Sequence, residues 1–264
     1  MQSAPRALIS GLGLIGGSIG MALRANSWRV AFVDPNVDLD QARSAAAADE
    51  KVVSLDDAAD VVVLATPVDV ALKMLSTQHS GLRTLITSVC SVMQPLREIA
   101  DARKLNFVAG HPLAGSHERG LVAARADLLR DRSWFVDRRD PLVERIVKDC
   151  GARLELVTAK EHDAAVALTS HLPQVLSTAL AAYLGGGQRA AGGGRELRDF
   201  AGSGLESFLR LALSDASVWM PVFEANRDNL LPHVEGVMQV ARKILDGDAN
   251  AFGDAQAFMK RLKQ

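Results

Sequence analysis

The sequence predicts an α/β fold: an N-terminal doubly wound domain built on a parallel sheet, followed by an all-α C-terminal domain. Three observations predict it. Short apolar, strand-like runs alternate with helical stretches through the first part of the chain. One of them, Val61-Val62-Val63-Leu64-Ala65, is apolar without alternation, as a strand buried on both faces must be. Beyond Thr158 no segment reads as a strand, and long alanine- and leucine-rich helical stretches take over.

In order along the chain, Ala7–Ile9 reads as a strand, Leu14–Arg24 as a helix and Val30–Val33 as a second strand. Leu39–Ala48 is helix-like, and Pro67 marks the exit of the strong Val61–Ala65 strand. Leu85–Thr87, Phe107–Ala109, Trp134–Val136 and Leu154–Val157 are further strand candidates. Then Ala164–Leu184 reads as one long helix interrupted or kinked at Pro173, followed by a glycine-rich loop from Gly185 to Gly194. Leu205–Leu213, Val218–Leu245 (bent or divided by Pro221 and Pro232) and Ala251–Leu262 complete the helices, with Ser214 and Asp215 at an N-cap position. We set the domains at 1–159 and 160–264.

Composition narrows the function. Of 264 residues, 30 are Lys or Arg and 31 Asp or Glu, a net charge of −1 that gives no basic footprint for nucleic acid. No apolar run is long enough to span a membrane, and Met1–Arg6 leads into a strand without a signal-peptide core. The two cysteines, Cys90 and Cys150, form no CxxC pair, which fits a reducing cytoplasm, and the six scattered histidines suggest no metal site. The partner expected is a small molecule. The short helical domain, with few ways to bury its long apolar helices alone, predicts a homodimer through that domain.

Gly11-Leu12-Gly13-Leu14-Ile15-Gly16 follows a strand, opens a helix, and is followed by an acidic residue, Asp34, at the end of the second strand. That is the dinucleotide fingerprint of a Rossmann-type domain. Gly11 makes the tight turn, Gly13 admits the pyrophosphate, and Gly16 lets helix and strand pack. The N–H groups at Leu14 and Ile15 face the anion. Asp34 is suited to the adenosine ribose, and no Arg, Ser or Thr follows it to receive a 2′-phosphate, so NAD is favoured over NADP. Thr66 and Pro67, after small Ala65, are either a further cofactor contact or an ordinary strand exit. His111, between Gly110 and Pro112 after a strand, sits where a loop would face the cofactor crevice.

With these motifs in place the chain resembles the prephenate/arogenate dehydrogenases of tyrosine biosynthesis over nearly its whole length. The resemblance runs through Gly11–Ser18, Ala65–Val68, Ser88–Met93, the GHPLAGS of Gly110–Ser116, His162-Asp163, the SHLP of Ser170–Pro173, and Phe208–Asp215 with Trp219 and Asn226. It implies NAD-dependent oxidative decarboxylation of prephenate, arogenate or both. His111 is implied as the catalytic histidine on the ring hydroxyl, with Ser91 helping to hold that hydroxyl. Arg210 is implied at a substrate carboxylate, with Gln174, His171, His117 and Ser116 around the substrate. His162 and Asp163 read as the start of the long helix, and Trp219 as core or dimer packing.

Departures from the family pattern bear on the substrate. Ser88 and Met93 stand where the family commonly has Asp and Lys, Gln174 where it often has a second histidine, and Ser207 at its acidic position. His117 replaces a commoner acid. Two alternatives therefore stay open: a dehydrogenase of a modified cyclohexadienol such as 4-amino-4-deoxyprephenate, and a non-catalytic NAD sensor. A β-hydroxyacid or imine reductase is disfavoured because no Lys occurs between Glu161 and Leu184. A chain ending at Gln264 leaves little room for a further regulatory domain, so feedback by tyrosine is expected at the active site.

Overall fold

The computed structural model describes residues 4–55, 58–77, 84–114, 118–186 and 197–263. They divide into two compact units: Met1–Ala165 with Ser214–Ala225, and Val166–Leu213 with Asn226–Gln264.

The first unit begins β1 (Arg6–Ser10), α1 (Leu14–Ala25), β2 (Arg29–Val33), α2 (Leu39–Ser44), β3 (Glu50–Lys51), β4 (Val61–Leu64), α3 (Val68–Thr77), β5 (Leu85–Ser88), α4 (Gln94–Ala102) and β6 (Phe107–Val108). The six strands form one parallel sheet in the order β3-β2-β1-β4-β5-β6. This is the doubly wound order with its reversal between β1 and β4, the place where such sheets bind ligands. All four residues of β4 are buried, as its unbroken apolar run requires.

Two expectations change here. The helix expected over Leu39–Ala48 stops at Ser44, because Ala46 takes a positive φ of 55° and turns the chain back. The turn seats fully buried Ala47 against α1, where its carbonyl would lie 2.1 Å from any Cβ on Gly20. β3 carried no signal: it is two exposed charged residues held by pairing with β2.

The later strands do not extend the parallel sheet. β7 (Gly110–Pro112), β8 (Ser133–Val136) and β9 (Arg153–Leu156), with α5 (Pro141–Asp149) between the last two, make a second, three-stranded sheet. β7 runs antiparallel to β8, and β9 parallel to it. The chain changes sheets at Ala109, whose N–H donates to Asp137 Oδ1 at 3.0 Å and whose carbonyl accepts from Asp137 N at 3.1 Å. Arg97 on α4 forms an ion pair with the same carboxylate and donates to Phe107 O. Burial raises the Asp137 carboxyl above its ordinary range, with the Arg97 charge opposing it. Gly110 permits the crossover: a Cβ there would meet Ser88 O at 2.8 Å.

α6 (Ala159–Val166) starts on a capping box, Thr158 and Glu161 each bonding the other's backbone N–H. A π-helical stretch, Ala167–His171, follows, then α7 (Leu172–Gly185). The expected kink is thus that π segment, and Pro173 sits in the first turn of α7, where a missing N–H is harmless. After α8 (Ser203–Leu209) comes a 3₁₀ turn, Arg210–Leu213. α9 (Ala216–Ala225) belongs to the first unit, packing Trp219, Val222 and Ala225 on the apolar cluster of α3 and α4. Asp215 caps it, accepting from Ser217 N at 2.8 Å, as expected.

α10 (Arg227–Leu245) and α11 (Asn250–Leu262) end the chain. The prolines do not divide α9 from α10; Pro221 and Pro232 lie inside them, and the break falls at Asn226. Only Leu230 of α10 is buried, and nothing of α11 is.

Candidate active site

The Gly11–Gly16 turn joins β1 to α1 at the sheet's reversal. Gly11 has φ +89°, and a Cβ there would strike Ala65 O at 2.6 Å, so only glycine fits. Gly16 packs so closely that a Cβ would lie 2.0 Å from Gly11 O. Over Gly13 nothing lies within 4 Å of the corresponding position. α1 begins at Leu14 and Ile15 with no side-chain cap and no acid in its first turn. An open approach above an uncapped helix start suits a pyrophosphate.

Asp34 does more than the sequence suggested. Its Oδ2 accepts from Leu12 N at 2.8 Å and its Oδ1 from Asn36 N at 2.8 Å, so it braces the glycine turn itself. Each oxygen retains a lone pair for a ribose hydroxyl. Thr66 follows β4, and its buried Oγ1 has no hydrogen-bond partner among the described residues. An orphaned hydroxyl beside the glycine turn is what a bound nucleotide would satisfy. Pro67 beside it is exposed. These residues fit a dinucleotide cofactor.

His111 is not in a loop. It is the middle residue of β7, half-buried and paired with Phe135 of β8. Its Nδ1 lies 2.9 Å from Nε2 of His162, with the two rings edge-on at 85°. His162 Nδ1 in turn lies 2.8 Å from Asp163 Oδ1. His162 is 3% and Asp163 1% exposed. Asp163 also accepts from Met93 N and Gln94 N, both at 2.8 Å, and so caps α4. From the sequence alone these two residues are expected only to start a helix. Their adjacency in the chain was visible, but that one faces β7 and the other α4 is a tertiary fact.

Ser91 is half-buried in the segment between β5 and α4, which Asp163 clamps at its far end. The flanking departures both turn inward. Ser88 is fully buried, its Oγ accepting from Gly110 N at 3.3 Å, and Met93 is fully buried in the core. Among the described residues no group of His, Cys, Asp and Glu could hold a metal ion.

Arg210, Gln174 and His171 lie in the second unit. Arg210 opens the 3₁₀ turn and is exposed. Two side chains of α7 hold the backbone around it: Ser177 Oγ donates to Phe208 O at 2.9 Å, and Gln174 Nε2 to Leu211 O at 2.8 Å. Gln174, expected at substrate, is 2% exposed and committed to this turn. His171 is 1% exposed, its Nδ1 3.1 Å from Asn226 Nδ2, while Asn229 donates to Asn226 Oδ1 at 2.8 Å. Ser116 and His117 lie outside the described residues.

Comparison with known proteins agrees with this architecture. The nucleotide-binding domain of prephenate dehydrogenase matches residues 19–156, and the dimerization domain of prephenate dehydrogenase matches residues 158–264. A prephenate dehydrogenase of Bacillus subtilis (strain 168) is 28% identical over 260 residues, spanning 90% of this chain and 68% of its own. A probable prephenate dehydrogenase, NovF, of Streptomyces niveus is 30% identical over 264 residues, 92% of this chain and 71% of its own. The crystal structure of prephenate dehydrogenase from A. aeolicus with hydroxyphenyl propionate and NAD+ superposes with a TM-score of 0.85 at 24% identity, covering 99% of this chain and 97% of that one.

Proposed function

The chain belongs to the prephenate dehydrogenase family, and from that premise we propose how its residues carry out the reaction. It is an NAD-dependent oxidoreductase that oxidatively decarboxylates prephenate to 4-hydroxyphenylpyruvate, arogenate to tyrosine, or both. The observation that carries the reading is His111, half-buried in the same unit as the Gly11–Gly16 nucleotide turn and backed by a second histidine.

Gly11, Gly13, Leu14, Ile15, Gly16, Asp34, Thr66 and Pro67 would hold the NAD. When bound, it supplies the hydride acceptor for the ring carbon that bears the hydroxyl. His111 draws on the hydroxyl proton as that carbon is oxidised and returns it to the oxygen when the ring becomes aromatic. Ser91 holds the same hydroxyl. The ring carboxylate departs as CO₂, and aromatisation makes the step irreversible. Arg210 pairs its planar fork with a substrate carboxylate. Gln174 and His171 shape that subsite by fixing the backbone and packing around it, with Ser116 and His117 contributing to substrate binding. We assign cofactor binding to residues 1–159 and substrate binding and dimerisation to residues 160–264, of which 160–165 and 214–225 pack within the first unit.

We place the enzyme in the cytoplasm as a homodimer through its helical domain. The unburied α11 and the match to a dimerization domain support the dimer. Two free, buried thiols support a reducing compartment.

The test is NADH formation from NAD with prephenate and arogenate offered separately, and NADP as control. Turnover of at least one substrate with NAD is expected. NAD binding without turnover of either would redirect the assignment to a modified cyclohexadienol, then to a sensor.

A further inference from the structure

The mechanism above uses His111 and leaves His162 and Asp163 without a task, although both are buried and in line with it. The direction of the chain of contacts follows from its anchored end. As a carboxylate, Asp163 can only accept, and it already accepts from Met93 N and Gln94 N. The His162 Nδ1 at 2.8 Å must therefore donate to it. A neutral His162 then offers Nε2 as an acceptor, and the His111 Nδ1 at 2.9 Å must donate in turn. That leaves the lone pair of His111 on Nε2.

We infer that His162 and Asp163 are positioning residues that hold His111 in the Nδ1–H tautomer, with Nε2 as the proton acceptor toward the substrate hydroxyl. This rests on the reading of His111 as the catalytic base. In the step, the substrate O–H bond breaks and an N–H bond forms at His111 Nε2. The Nδ1–H stays on His111 and strengthens its bond to His162, whose own proton stays directed at Asp163. The returning proton travels from Nε2 to the phenolate oxygen. Asp163 is never protonated, and its charge stabilises the imidazolium through His162. Phe135, the cross-strand partner of His111, lies over the His162 ring with centroids 5.7 Å apart and fixes the second ring. Asp163 also couples the pair to the segment carrying Ser91, because the same carboxylate caps α4.

The experiment uses the full-length protein and two variants of His162. His162→Leu removes the acceptor for His111 Nδ1–H; His162→Gln offers a carboxamide oxygen in its place. His162→Leu is expected to lower kcat by about 100-fold or more, with KM for the substrate and NAD affinity little changed. His162→Gln is expected to recover roughly tenfold of that loss, because it restores an acceptor. Independently of turnover, imidazole nitrogen NMR of the wild-type protein without ligands should show His111 protonated at Nδ1, and His162→Leu should shift it toward Nε2–H. A folded His162→Leu enzyme with wild-type kcat, or a wild-type His111 protonated at Nε2, would overturn the inference. If the wild-type protein turned over neither substrate, the functional reading would fail, and the tautomer alone would still decide this one. If His162→Leu did not fold, the tautomer and His162→Gln would decide it, with an unchanged kcat in a His162→Gln enzyme whose His111 is Nε2–H overturning it.

Discussion

The two units bury themselves to very different degrees. In the first, every residue of β4 and β5 is buried and the core continues through two apolar clusters. In the second, α11 buries nothing, α10 buries Leu230 alone, and Phe252, Phe258 and Leu262 are each more than half exposed. Half of what is buried in the second unit is polar: His171, Gln174, Ser177 and Asn226, beside Val166, Ala167, Leu172 and Leu230. The first unit is thus held by hydrophobic burial and can present rigid catalytic groups. The second is tied in part by side-chain hydrogen bonds and leaves large apolar side chains of α11 exposed, the face we propose a second copy covers.

The largest expected effect tests where the chemistry lies. His111→Asn should lower kcat by about 10²–10⁴-fold while leaving the melting temperature and NAD affinity near wild type. An unchanged kcat would remove the first unit's claim to the reacting groups.

Next comes the dependence of the second unit on a partner. The wild-type protein should scatter light as a dimer at micromolar concentration, and Phe258→Asp should shift it to monomer with loss of helical circular dichroism and retained NAD binding. A monomeric wild type would break the comparison, since α11 would then be stable without cover.

Arg210→Ala tests the division of labour more finely. Losing hydrogen bonds to a charged ligand costs ~1.5–3 kcal/mol, so KM should rise roughly 10- to 100-fold, with kcat affected less. Unaltered substrate saturation would end that assignment.

The smallest effect concerns the rigidity of the first unit. Burial pushes the thiols of Cys90 and Cys150 from an ordinary 9.0 up to about 12. Neither should be alkylated at pH 8 in the native protein, and both should react in denaturant. The unfolded chain ionises its thiols first, so stability should fall as pH rises from 9.0 toward 12, readable as a declining denaturation midpoint. Fast native labelling of Cys90 would show that the strand exit beside Thr66 opens.

Much of this was legible in the chain. Local periodicity and composition announced β1, β2, β4 and β5, the glycine turn with Asp34, the shift to helices beyond Thr158, and the cap at Asp215. The GHPLAGS and SHLP motifs pointed to the family. These features are short-range: a strand buried on both faces must be apolar throughout, and a positive φ pressed against a neighbouring strand demands glycine. The tertiary structure decided the rest. It alone set the change of sheets at Ala109, which puts His111 in a strand; the break at Asn226 rather than at a proline; and the commitment of Gln174 to the turn of Arg210. It also aligned the adjacent pair His162 and Asp163 with His111, 51 residues earlier in the chain, a meeting that depends on α6 packing between β7 and α4. Hydrogen-bond partners are chosen by distance in space, and no periodicity along the chain encodes that distance.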